Sequence, residues 1–223
     1  MTSITLEGNT EQLAVQFGIQ NGVPVEGSTS AERVAHDKQI GGGTMSRSGV
    51  HCPICTQVTM TSEDIRLEGQ AGRLGVMMTA VVIDGPNGKE YRIATNDEIY
   101  LAAEAETQLK IVYADVPFGL PDEPTPVGGG SGAGRAFGLQ AYGLMLWRDL
   151  FTYRQLLALG IFIKNTRLSR QAMPISLYDS LWIEAINAYL AIVNDKVADY
   201  NSSLCTWHNS RELIRNTFPR FAL

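Results

Sequence analysis

Leu177, Leu181, Trp182, Ile186, Tyr189, Leu190, Val193 and Val197 recur three and four residues apart, the period of one face of an α-helix. The spacing predicts a long helix from Ser176, with the Ser176 hydroxyl as cap and Asp179 at the third helical position, facing the exposed first-turn amides. The pattern breaks at Asn201-Ser202-Ser203, whose side chains compete for backbone hydrogen bonds and favour a stop. Asn209 with Glu212 then reads as a further helix start. Upstream, Thr152 and Gln155 form a capping box for a helix from Tyr153 to about Leu168, separated from the long helix by Pro174. Thr95 and Glu98 form another, opening a helix to about Val112.

The first half alternates instead. Ser3 to Glu7 and Leu13 to Ile19 flank Gly8-Asn9 and predict a β-hairpin. Residues 21–43 are polar and glycine-rich and read as a loop ended by Gly41 to Gly43. Thr61 opens a short helix with Asp64 at its third position, ended by Gly69 and Gly72. Val76 to Ile83 is apolar enough for a strand buried on both faces. Asp84 to Gly88 is a turn, and Lys89 to Ile93 the returning strand. Pro117, Pro121, Pro124 and Pro126, then the glycine run from Gly128 to Gly134, mark a connector. The expectation is an α+β chain. Residues 1–113 form a β-rich module, 114–142 a connector and 143–223 a helical region.

Composition narrows the classes. Of 223 residues 44% are hydrophobic and 18% charged, which is ordinary for a soluble globular protein. A net charge of −5 argues against autonomous DNA binding, since free-standing nucleic-acid binders are usually basic. Three cysteines, two of them in a C-x2-C pair, suggest metal or thiol chemistry in a reducing compartment. The N-terminus has no basic region followed by an apolar run, and no apolar run reaches the ~18 residues of a membrane span. The expected location is the cytoplasm, with no membrane partner.

Cys52-Pro53-Ile54-Cys55 has the look of half a zinc ribbon, because two thiolates two residues apart can grip one tetrahedral ion while the turn aims amides at the sulfurs. A structural site needs four ligands, and there is no second C-x2-C. His51 is badly placed to join the same ion. Cys205 and His208 have ligand spacing and are the candidates to complete it. The other reading is a pair of reduced cysteines in a β-turn. A thioredoxin-like role is disfavoured, as the pair does not open a helix after a buried strand. The glycine run lacks the Gly-Lys-Ser/Thr of a P-loop and follows prolines rather than a strand, so it reads as linker. Trp147, Arg148 and Arg154, with Lys164, Arg167 and Arg170, put aromatic and basic groups in and before one helix, and Arg211 lies further on. Such groups can stack on bases and pair with phosphates, or simply form a solvated face. His36, His51 and His208 are isolated, carboxylates are scattered, and no nucleophile–base dyad stands out.

Three stretches carry a family resemblance. YGLMLWRDLFTYRQLL at residues 142–157 and YLAIVNDKVADYNSSLCTWHNSREL at 189–213 resemble segments of the large DNA adenine methylases of prokaryotes, built around a domain of unknown function and found beside anti-phage genes. Gly43 to Arg47 leading into Cys52 to Cys55 is a weaker match in the same order. The resemblance covers about residues 43–223. It implies a parent enzyme with a Rossmann-like sheet for S-adenosylmethionine and a D-P-P-Y motif that grips the flipped base. Neither an F-x-G-x-G nor any Pro-Pro occurs here. In the family the donor loop lies upstream of the matched region and D-P-P-Y downstream. The chain therefore reads as an insert between the catalytic halves, as a gene fragment, split subunit or truncated piece, with DNA and the remaining catalytic parts as partners. No residue is carried over as catalytic, and whether the chain counts as an enzyme stays open. The competing reading is an independent zinc-ribbon and helix module that binds a protein.

Overall fold

The computed structural model describes residues 2–9, 11, 14–21, 29–32, 34–35, 44–46, 49–55, 57–128, 138–208 and 213–217. The expected hairpin forms: β1 (Thr2–Asn9) pairs antiparallel with β2 (Ala14–Asn21), in register from Thr2↔Asn21 to Asn9↔Ala14. Residues 30–32, 34 and 35 are helical where a loop is expected, because Thr29 and Glu32 make a reciprocal cap of the kind sought elsewhere in the chain. The rest of the expected loop, His36 and Gly41 to Gly43 included, lies outside the described residues.

A small three-stranded sheet follows, of β3 (Met45–Ser46), β4 (Gly49–His51) and β5 (Val58–Met60). Gly49 is buried at φ 131°, with its α-carbon against the Met60 carbonyl, where a β-carbon would collide. Thr61 and Asp64 cap α1 (Ser62–Gln70) as the sequence predicts. Gly69 sits inside this helix rather than ending it, and Gly72, at φ 68°, terminates the turn. Gly69 lies against Gly143, and a β-carbon on either would strike the backbone of the other's segment.

The expected strand over Val76 to Ile83 is shorter and shifted. β6 (Val81–Gly85) pairs only with β7 (Gly88–Arg92), through a two-residue loop at Pro86-Asn87. Val76 and Met77 precede the ribbon and are 78% and 70% exposed. Arg92 then grips Glu98 with both guanidinium ends at 2.7 Å. Glu98 in turn accepts the Thr95 amide at 2.9 Å and fixes the start of α2 (Asn96–Tyr113).

The helical half is built on α2, α3 (Tyr153–Ala172) and α4 (Ser180–Tyr200). Leu109, Tyr113, Val116 and Leu156 are its buried apolar centre, with Leu120, Phe151 and Ile163 packed around them. Gly160 lets α3 meet α2 closely, since a β-carbon there would lie 2.7 Å from the Tyr113 ring. The Tyr113 hydroxyl donates to the Leu156 carbonyl at 2.9 Å. Each fully buried Leu contributes roughly 1.5–3 kcal/mol. The Thr152–Gln155 box starts α3 as expected. The start of α4 is corrected: Asp179, not Ser176, is the cap, accepting the Leu181 amide. The Pro174 carbonyl captures the amides of Leu177 and Tyr178 in a turn, which postpones the helix. α4 stops at Asn201, where the polar triplet begins. The helix start expected at Asn209 and Glu212 lies outside the described residues; beyond it Leu213–Arg215 is a strand (β9) paired with β8 (Thr206–His208).

The chain is thus α+β, with strands concentrated before residue 93 and helices after it. In space it forms two compact units: Met1–Ile99, Val127–Gly143 and Trp207–Leu213 in one, and Tyr100–Pro126, Leu144–Thr206 and Ile214–Leu223 in the other. The proline-rich part of the expected connector is not a spacer. Residues 121–125 pack within the second unit, where Pro124 bridges Leu146 and Thr125 is 2% exposed. Among the described residues no helix is long and apolar enough to cross a membrane.

Candidate functional site

The cysteine pair sits on the bend between β4 and β5. The two strands pair at Val50↔Met60 and His51↔Val58, with a register shift between them. The Cys52 amide donates to the Gln57 carbonyl at 2.9 Å and closes the loop. Within it the amides of Cys55 and Ile54 point at the Cys52 sulfur and, with the Cys55 side chain, hold the Cys52 thiol below its ordinary range. Cys52 is half-buried and Cys55 exposed. Amides turned onto a sulfur favour a thiolate, the form that ligates metals.

The two cysteines belong to one compact unit and Cys205 to the other. Among the described residues no group of three or more His, Cys, Asp or Glu is placed to hold a metal ion. Among the described residues the cysteine pair supplies two of the four ligands of a tetrahedral zinc site. Cys205 is engaged otherwise. Its thiol donates to the Asp199 carbonyl at 3.4 Å and lies 3.2 Å from the Thr217 hydroxyl. His208 is half-buried on β8.

Cys205 belongs to a polar knot at the end of α4 that the sequence reading does not identify. Asp199 and Ser202 are 9% and 3% exposed. The Asp199 carbonyl accepts the Thr217 amide at 2.8 Å, and its carboxylate accepts from the Asn216 side chain at 3.1 Å. The Ser202 hydroxyl meets the Thr217 hydroxyl and accepts the Leu204 amide at 3.1 Å. Ser203 donates twice to the Leu150 carbonyl, its amide at 2.8 Å and its hydroxyl at 2.7 Å. Leu150 is wholly buried. The signal available in the sequence was the polarity of Asn201-Ser202-Ser203, which reads locally as a helix stop. Its distant partners carry no local signature.

The aromatic and basic candidates lie at the other end of this contact. Trp147, Arg148 and Leu150 belong to a 3-10 helix, Trp147–Leu150. The Trp147 amide donates to the Glu123 carbonyl at 3.0 Å and the Arg148 amide to Pro121 at 3.0 Å. The Arg148 guanidinium binds Asp122 at 2.7 Å. Asp149 lies 4.0 Å from the same guanidinium. Arg154 is exposed in the first turn of α3, and Arg211 lies outside the described residues. The glycine run beyond Gly128 also lies outside them. No family model, curated protein or solved structure matches the chain.

Proposed function

We propose that the chain is a non-catalytic segment of an S-adenosylmethionine-dependent DNA methyltransferase acting on adenine N6 or cytosine N4, contributing scaffold or target recognition to the complete enzyme. The observation that supports this reading is the junction at Leu150. The two blocks that carry the methylase resemblance, 142–157 and 189–213, meet there: Ser203 of the second places two hydrogen bonds on one carbonyl of the first. The shared residues thus coincide with a load of buried polar contacts, as expected of a framework rather than of a reaction centre. Donor binding and base extrusion rest on motifs that the sequence of residues 1–223 lacks, so DNA and the donor are partners of the complete enzyme. Incubation of the purified chain with labelled S-adenosylmethionine and mixed-sequence DNA is expected to give background incorporation, and titration with the donor no heat of binding. Addition of polypeptides carrying the donor loop and the D-P-P-Y motif is expected to restore transfer. Saturable donor binding by this chain alone refutes the proposal.

A second reading, a zinc-bearing protein-interaction module, is favoured by the two amides aimed at the Cys52 sulfur. On this reading Cys52 and Cys55 supply two thiolates and the remaining ligands come from residues outside the described set or from a partner. Zinc would supply structural cross-linking only. Metal analysis after dialysis is the check: retained zinc that disappears in Cys52→Ser supports it, and zinc-free protein with an unchanged melting curve removes it.

A further inference from the structure

The inner face of α4 packs on α3. Ile183 is 7% exposed there, and the Asn194 side chain donates to the Thr166 hydroxyl at 3.0 Å. The outer face is also apolar. Trp182, Ala185, Tyr189, Ile192 and Lys196 follow one another at spacings of three, four, three and four, the repeat of a coiled-coil seam. All five are exposed. Trp182 is 67%, Tyr189 72% and Ile192 55% exposed, and Leu181, Val193 and Tyr200 flank them at 73%, 53% and 46%. A heptad seam is complementary to another helix, and packing of α3 cannot account for it because α3 occupies the opposite side.

We propose that this face pairs with the same face of a second copy of the chain, the two α4 helices running antiparallel. Six large apolar side chains, each about half or more exposed, offer on the order of 800 Å² per copy, the size of a standard specific interface. Orientation follows from the side chains. A parallel pair sets Lys196 on Lys196 and Ala185 on Ala185, opposing like charges and leaving a gap between aromatic layers. An antiparallel pair, in which each first seam position faces the partner's second, sets Trp182 against Ile192 and Ala185 against Tyr189. Large meets small, and Lys196 comes against Tyr178, which is 45% exposed just before the helix and offers its ring to the ammonium.

Sedimentation equilibrium of the intact chain over the micromolar range tests this. A concentration-dependent dimer is expected. Ile192→Asp buries a charge in the seam and is expected to weaken the dimer by at least about tenfold. Ala191→Asp, an exposed position off the seam, is expected to leave it intact. A monomer throughout, as when the face is reserved for another part of a larger enzyme, overturns the proposal. So does equal loss in both variants. Orientation is read by oxidation with Cys52 and Cys55 replaced by Ser. Antiparallel residues 182 of the two copies lie ~15 Å apart along the axis. Trp182→Cys and Ile192→Cys proteins are therefore expected to cross-link when mixed and not separately. Cross-linking of each protein to itself overturns the antiparallel arrangement.

Discussion

Glu98 ties two elements together through four hydrogen bonds, two from Arg92, one from the Thr95 amide and one from the Thr95 hydroxyl. The Arg92 guanidinium, and after it the Thr95 amide, lower its carboxyl from 4.5 to about 2. A carboxylate depressed by folding adds stability above its unfolded value and loses it as pH falls toward the folded one. The chain is therefore expected to lose stability between about pH 4.5 and pH 2 through this residue. Glu98→Gln is expected to be less stable than the parent near neutrality and to flatten that part of the profile. Urea midpoints measured across the window check it. The Thr95–Glu98 box was legible beforehand, as were Thr61–Asp64 and Thr152–Gln155, because donor and acceptor lie three residues apart and need no knowledge of the fold. The engagement of Asp199 with Asn216 and Thr217 was not, since those pairs span 17 and 18 residues of chain with no pattern of their own. The surroundings of Cys205 were hidden for the same reason: its spacing to His208 suggests a metal, and its hydrogen bonds to Asp199 and Thr217 carry no local pattern.

Hairpins and long helices were readable from periodicity, and the elements that escaped were those decided by their neighbours. Val76 to Ile83 has the composition of a buried strand, but it is only half-buried over Met78–Val81 and pairs from Val81 on in a two-stranded ribbon. The proline-rich segment after α2 reads as a spacer because proline interrupts both periods. Its carbonyls and side chains nevertheless make a specific bed for the 3-10 helix. Thr125 is the centre of that bed: its amide donates to the Met145 carbonyl at 2.8 Å and its hydroxyl to the Leu144 carbonyl at 2.7 Å. Thr125→Val keeps the shape and removes the donor from the half-buried Leu144 carbonyl, at a cost of about 1 kcal/mol. A lower urea midpoint with an unchanged slope is the expected result. If the segment were a spacer, the substitution would be silent.

Order along the chain and order in space differ. The first unit takes in Val127–Gly143 after the chain has left it at Ile99. α1 shows what this entails. Its glycine face is covered by the Gln140–Tyr142 turn and Gly143, and the Gln70 side chain donates to the Ala141 carbonyl. Sequence periodicity could place α1 but not its cover, because a close approach of two glycines leaves no hydrophobic stripe to count. During synthesis at ~5–20 residues per second, roughly 4–15 seconds separate the appearance of Gln70 from that of Gly143. For that interval α1 lacks its cover, and its nine residues fall below the length at which isolated helices hold. The N-terminal unit thus waits for a segment made after the first helix of the other unit, α2, has already emerged.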